Sequence, residues 1–202
     1  MKWLDFSPYV LPYVIGCPDP TLEMHARLAA IEFFRRTLSW REVLDPISAE
    51  GSEPVELEAP MQTQIIKVKS VSVDGRDFPL VETTHGSELS RTDAGREFAF
   101  SRDNRTLAIY PIQTAGTPVV VEAALAPSIT ASTLPDALAQ QHMQDIAYGV
   151  AASIKRIPGQ VFTDPAGAQE QQALFERRIT TIAAKHSRGL MAAKMRSRTT
   201  FL

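Results

Sequence analysis

Ile65-Ile-Lys-Val-Lys-Ser-Val-Ser-Val73, closed by Asp74-Gly75, is where the period of the chain changes. After its first residue the run alternates apolar and polar, the pattern of a strand with one buried face. Asp-Gly is a strong signal for a two-residue hairpin turn, whose central residues need positive φ. Phe78–Val81 follows as the returning strand. Towards the N-terminus, Val55-Glu-Leu-Glu58 alternates as well. Towards the C-terminus, Glu97–Ser101, a turn at Asp103-Asn104 and Arg105–Tyr110 read as a second hairpin, and Pro118–Leu125 as a further strand. The polar run Thr83–Gly95 reads as loop. Residues 50–126 are therefore expected to form a β module of about five short strands.

On either side of this module the pattern is helical. Ser7-Pro8 opens a short helix reaching about Val14, and Gly16-Cys17-Pro18 turns the chain. Asp19 then stands as a cap before Pro20, and Leu22, Ala26, Ala29, Phe33 and Trp40 mark the apolar face of a helix to about Trp40. Thr133 and Asp136 resemble a capping box. Beyond them Ala139, Met143, Ile146, Ala147, Val150, Ile154 and Ile157 mark the core face of a long helix, stopped by Pro158-Gly159. Asp164-Pro165 opens a last helix with Phe175, Ile179, Ile182, His186 and Leu190 on one face. Because the strands look short, the expected fold is mainly α. It is a helical bundle of about four helices built from residues 1–49 and 127–193, with the β module of 50–126 inserted (α+β) and 194–202 an extended C-terminal tail.

Hydrophobic residues make up 44% and charged residues 22% of the 202, an ordinary globular balance. The net charge of −2 gives no bulk attraction to nucleic acid. Its placement is uneven. Glu42, Asp45, Glu50, Glu53, Glu56 and Glu58 follow one another without an intervening Lys or Arg, whereas Arg177, Arg178, Lys185, Arg188, Lys194, Arg196 and Arg198 follow the last acid, Glu176. Such asymmetry suits head-to-tail packing of identical subunits or docking on a charged partner. The single Cys17 excludes an internal disulfide and a multi-cysteine zinc site. Neither a signal peptide nor a membrane-spanning run is expected, so a soluble chain is anticipated.

The common catalytic constellations are missing. The ten glycines form no phosphate-binding loop, and His25, His85, His142 and His186 have no metal-ligand spacing. His142 and Asp145 stand three apart on one helix, where a general base and its orienter and a plain surface hydrogen bond are alternatives. No cofactor or metal is implied. The basic C-terminus could meet phosphates, so a DNA-associated packaging or regulatory protein is the alternative reading. Aromatic residues do not interleave with those cations.

Val10-Leu-Pro-Tyr-Val-Ile-Gly-Cys-Pro-Asp-Pro20, Ala29-Ala-Ile-Glu-Phe-Phe-Arg-Arg-Thr-Leu-Ser-Trp40 and Asp45-Pro-Ile47 carry a resemblance. So do Val73-Asp-Gly75, Leu107-Ala-Ile-Tyr-Pro111, Ala124-Leu-Ala-Pro127, Leu134-Pro-Asp136 and Phe175-Glu-Arg-Arg-Ile179. Together they resemble the head-to-tail adaptor (connector) proteins of tailed bacteriophages, the group that includes the tail tubular protein A of short-tailed phages. The resemblance spans almost the whole chain, through packing and turn residues and not through a catalytic signature. It implies a structural virion protein, not an enzyme. Such proteins form a ring, typically twelvefold, at the neck of the virion after assembly in the host cytoplasm. The ring lies beneath the portal, joins capsid to tail or nozzle, and surrounds the DNA channel. Implied partners are the portal protein, a tail or nozzle protein and further copies of the chain, with at most non-specific DNA contact and no membrane. The family's C-terminal segment meets the portal, which assigns Met195, Arg196, Ser197, Arg198, Thr199, Thr200, Phe201 and Leu202 to docking. A ring interface joins two different faces, and Glu42, Asp45, Glu50 and Glu53 are expected to oppose Arg177, Arg178, Lys185 and Arg188.

Overall fold

The computed structural model describes residues 1–49, 51, 54–81 and 97–187. A 3-10 turn, Trp3–Phe6, leads into α1 (Ser7–Val10) and then α2 (Asp19–Thr37). The strands are β1 (Arg41–Val43), β2 (Ile47–Ser48), β3 (Val55–Glu56), β4 (Thr63–Val73), β5 (Arg76–Phe78), β6 (Phe98–Phe100), β7 (Thr106–Tyr110) and β8 (Pro118–Pro127). Helices α3 (Asp136–Lys155) and α4 (Pro165–Ser187) close the described chain.

The expected mainly α bundle does not form. Helix accounts for about 41% and strand for about 25%, an α+β fold with two antiparallel sheets. The reason lies in two long strands. β4 has 11 residues and β8 has 10, and they pair from Thr63↔Pro127 to Val73↔Val119. Register shifts between Ile65 and Lys67 and between Val68 and Ser70 absorb extra residues of β4 as bulges. β8 is the hub of the larger sheet, ordered β1-β8-β4-β5, with β2 pairing on the same side of β8 as β1. Ala123, Ala124, Leu125 and Ala126 are all fully buried. Since successive strand side chains point to opposite faces, β8 is covered on both faces here. β3, β7 and β6 form the smaller sheet in that order.

Helices and larger sheet share one core. Phe33 and Phe34 of α2, Ile146, Val150 and Ile154 of α3, and Phe175 and Ile179 of α4 belong to the same buried cluster as Val71, Val121 and Leu125. α3 and α4 pack closely. A Cβ built on Gly149 would lie 2.9 Å from the Phe175 ring, so only glycine lets that ring seat against the backbone of α3.

Local chemistry explains where elements begin and end. Asp74 (φ 49°) and Gly75 (φ 75°) make the β4–β5 turn with both residues left-handed, as Asp-Gly favours. α2 stops three residues before Trp40. Leu38 takes a left-handed conformation (φ 51°) and its N–H donates to Phe34 O at 3.0 Å. Asp19 lies inside α2 and caps nothing, since Pro18 occupies the cap position. Thr133 and Asp136 form no capping box, because Pro135 precedes α3. Asp164 does cap α4: its Oδ1 accepts from the Gly167 N–H at 2.9 Å.

Candidate functional site

The His142–Asp145 pair, three apart on one helix, is structural in its surroundings. His142 and Asp145 of α3 are each 4% exposed. The His142 ring lies 4.9 Å from the Phe33 ring and 5.9 Å from that of Phe34. Its Nδ1 is 3.8 Å from Asp145 Oδ2, too far for a hydrogen bond, and has no such partner among the described residues. Burial holds the imidazole below its ordinary pKa, against the opposing pull of Asp145. The ring is a neutral core side chain. Asp145 Oδ1 instead accepts from Arg178 Nε of α4 at 2.5 Å, and this hydrogen bond raises the Arg178 pKa. Arg178, expected between subunits, thus ties α4 to α3 inside one subunit, with its side chain still 53% exposed.

The neighbouring charges of α4 are joined in the same way. Glu176 receives both terminal nitrogens of Arg36 from α2, and Arg36 also reaches Glu32 at 3.1 Å. The Arg36 hydrogen bond holds the Glu176 carboxyl below its usual range and pushes Arg36 further up. Arg41 Nη2 donates to His186 O at 3.1 Å, so the end of α4 abuts the start of β1. Arg177 and Lys185 differ: both are exposed and neither side chain has a hydrogen bond or ion pair among the described residues. Arg188 and the docking set Met195, Arg196, Ser197, Arg198, Thr199, Thr200, Phe201 and Leu202 lie outside the described residues.

The acidic stretch contributes to both sides of a cleft. Glu42 is exposed on β1 and accepts from Trp40 Nε1 at 2.9 Å. Asp45 follows at the break between β1 and β2, while Glu50 and Glu53 lie outside the described residues. β2 is a margin of the larger sheet and β3 a margin of the smaller one. A cleft of about 520 Å³ opens between Leu44–Ser48 and Pro54–Glu58. Leu44, Val55 and Leu57 are buried at its base, and its open lining is mixed, polar and apolar. Asp45, Glu56 and Glu58 are exposed along it, with no side-chain hydrogen bond or ion pair among the described residues. Glu56 and Glu58 were readable as polar members of an alternating strand. That they face Asp45 across a gap was not, because two different sheets bring them together.

Among the described residues no group of three or more His, Cys, Asp or Glu could hold a metal ion. No helix among them is long and apolar enough to cross a membrane. No family model matches the chain, and no curated protein matches it in sequence.

Proposed function

We propose that the protein is a structural subunit of a phage neck: a head-to-tail adaptor that assembles as a ring beneath the portal and joins capsid to tail around the DNA channel. The observation that carries this reading is the set of exposed charges of opposite sign that have no partner among the described residues. Asp45, Glu56 and Glu58 belong to the sheet margins, and Arg177 and Lys185 to α4. Elsewhere Arg36, Glu176, Arg178 and Asp145 show that this chain pairs charges internally where it can. Opposite free charges on different elements suit a heterologous contact between copies, in which one face meets a different face of the next subunit. The resemblance in turn and packing residues supplies the biological setting.

The portal contact belongs to Met195–Leu202. Burying the terminal Phe201 and Leu202 in a portal pocket contributes about 1.5–3 kcal/mol per side chain, and repetition around a ring multiplies the attachment. Native mass spectrometry of the protein alone and mixed with portal tests the reading. A ring-sized complex with portal is expected, and deletion of residues 195–202 should abolish it without altering the circular dichroism spectrum. Full attachment by the shortened chain would remove the docking role. A salt-sensitive gel shift with DNA and no portal complex would replace the adaptor reading with the DNA-binding one.

A further inference from the structure

We infer that the cleft between β2 and β3 is a receptor for an extended basic segment, and that its occupant in the free protein is the chain's own C-terminal segment, residues 188–202. The inference does not rest on the ring reading. Three observations converge on it.

The first is the form of the cleft. Two sheet margins meet at a gap with buried Leu44, Val55 and Leu57 at its base and three exposed carboxylates that have no partner among the described residues. Sheet margins offer backbone donors and acceptors to an added strand, and alternating pockets then select its side chains. The second is charge and pattern. Residues 188–202 carry Arg188, Lys194, Arg196 and Arg198 and no acid. Drawn out as a strand, Lys194, Arg196 and Arg198 share one face while Met195 and Phe201 share the other. That division matches a cleft in which Asp45, Glu56 and Glu58 stand beside the apolar lining residues Pro46, Ile47 and Pro54. The third is reach. The carbonyl of His186 is held by Arg41 at the start of β1, and the cleft begins at Leu44 on the same margin, about 10 Å further along the strand. Residues 188–202 span at most about 50 Å when extended, so the segment reaches the cleft of its own subunit.

The consequence is a latch. While the segment lies in the cleft, Asp45, Glu56 and Glu58 are covered and the apolar end is kept from water. A competing surface for the segment uncovers them.

Disulfide trapping in the full-length chain tests this. In a Cys17→Ser background, Thr199→Cys is paired with Ser48→Cys at the cleft. A control pairs it with Val161→Cys, fully exposed between α3 and α4 at the far end of α4. Mild oxidation at low protein concentration should give an intramolecular cross-link for the cleft pair in clear excess over the control. Adding Asp45→Asn, Glu56→Gln and Glu58→Gln should lower that excess about tenfold, the scale of three exposed ion pairs. If the triple variant fails to fold by circular dichroism, 1 M salt on the chain with native carboxylates is the substitute. It screens exposed charges beyond about 3 Å and should reduce the excess likewise. Equal cross-linking of both pairs overturns the inference, as does a cleft cross-link indifferent to charge and salt. A product that is mainly dimeric overturns the choice of the chain's own segment.

Discussion

The α3–α4 contact and the β2–β3 cleft both carry carboxylates beside apolar side chains, and they treat them oppositely. Asp145 is enclosed and answered by Arg178 from a helix 33 residues away in sequence. Asp45, Glu56 and Glu58 stand open with no partner among the described residues. An enclosed charge must be paired, since desolvation costs several kcal/mol per ion. An exposed charge is already satisfied by water and can wait for a partner. The first region therefore holds the fold together, and the second is free to act.

Substitutions in both regions and a pH titration measure this contrast. Phe175→Ala should cost about 3–5 kcal/mol in chemical denaturation, because the ring is 1% exposed and fills the space beside Gly149. A loss under about 1 kcal/mol would mean the α3–α4 contact is not the stabilising region. Gly149→Ala comes next. Pressing a methyl into the Phe175 ring costs about 1–3 kcal/mol, partly offset by the better helix propensity of alanine, about 1 kcal/mol. A Phe175→Leu partner change should recover much of that loss in a double-mutant cycle.

Asp145→Asn should cost about 1–2 kcal/mol, less than a fully buried pair because half of the Arg178 side chain is exposed. His142 sets a pH dependence of its own. Its folded pKa lies below the ordinary value of 6.5 because burial disfavours the charged ring. Below that value the unfolded chain binds a proton the folded chain refuses, so stability falls as pH drops through the histidine range. His25 and His186 are shifted the same way. His142→Phe, joining Phe33 and Phe34, should flatten the slope of melting temperature between about pH 7.5 and 5.5; an unchanged slope would assign it to the other histidines. The smallest effect is expected at the cleft. In a chain shortened to residue 187, where the cleft has no segment to hold, neutralising Asp45, Glu56 and Glu58 together should change stability by no more than about 0.5 kcal/mol. A loss as large as that of Asp145→Asn would erase the distinction between the two regions.

Much of the local structure was legible in the chain. The Asp74-Gly75 turn, the β6–β7 hairpin, the Asp164 cap, the core face of α3 and that of α4 from Phe175 to Ile182 all follow from spacing and turn chemistry, while Leu190 lies outside the described residues. The bundle expectation failed at β8 and at the residues that pair with it. Ala123–Ala126 does not alternate, because both of its faces are covered, so its weight in the core was not visible. Arg41–Val43 is exposed at every position and carries no periodic signal, yet it becomes a strand because β8 offers it an open margin. The candidate site was legible only in part. The acidic and basic residues could be named from composition, but Arg178 could not be separated from Arg177 and Lys185 by sequence. Only the packing of α4 on α3 commits one of them to Asp145.

The sequence by itself determined which segments turn, which alternate and where unlike charges collect, because those properties depend on neighbours a few residues away. Tertiary structure alone decided that a ten-residue strand would be the hub, that His142 would be sealed among aromatic rings, and that two sheet margins would face each other as an acidic cleft. Each of these depends on which distant surfaces exclude water from one another, and burial of that kind has no local signature.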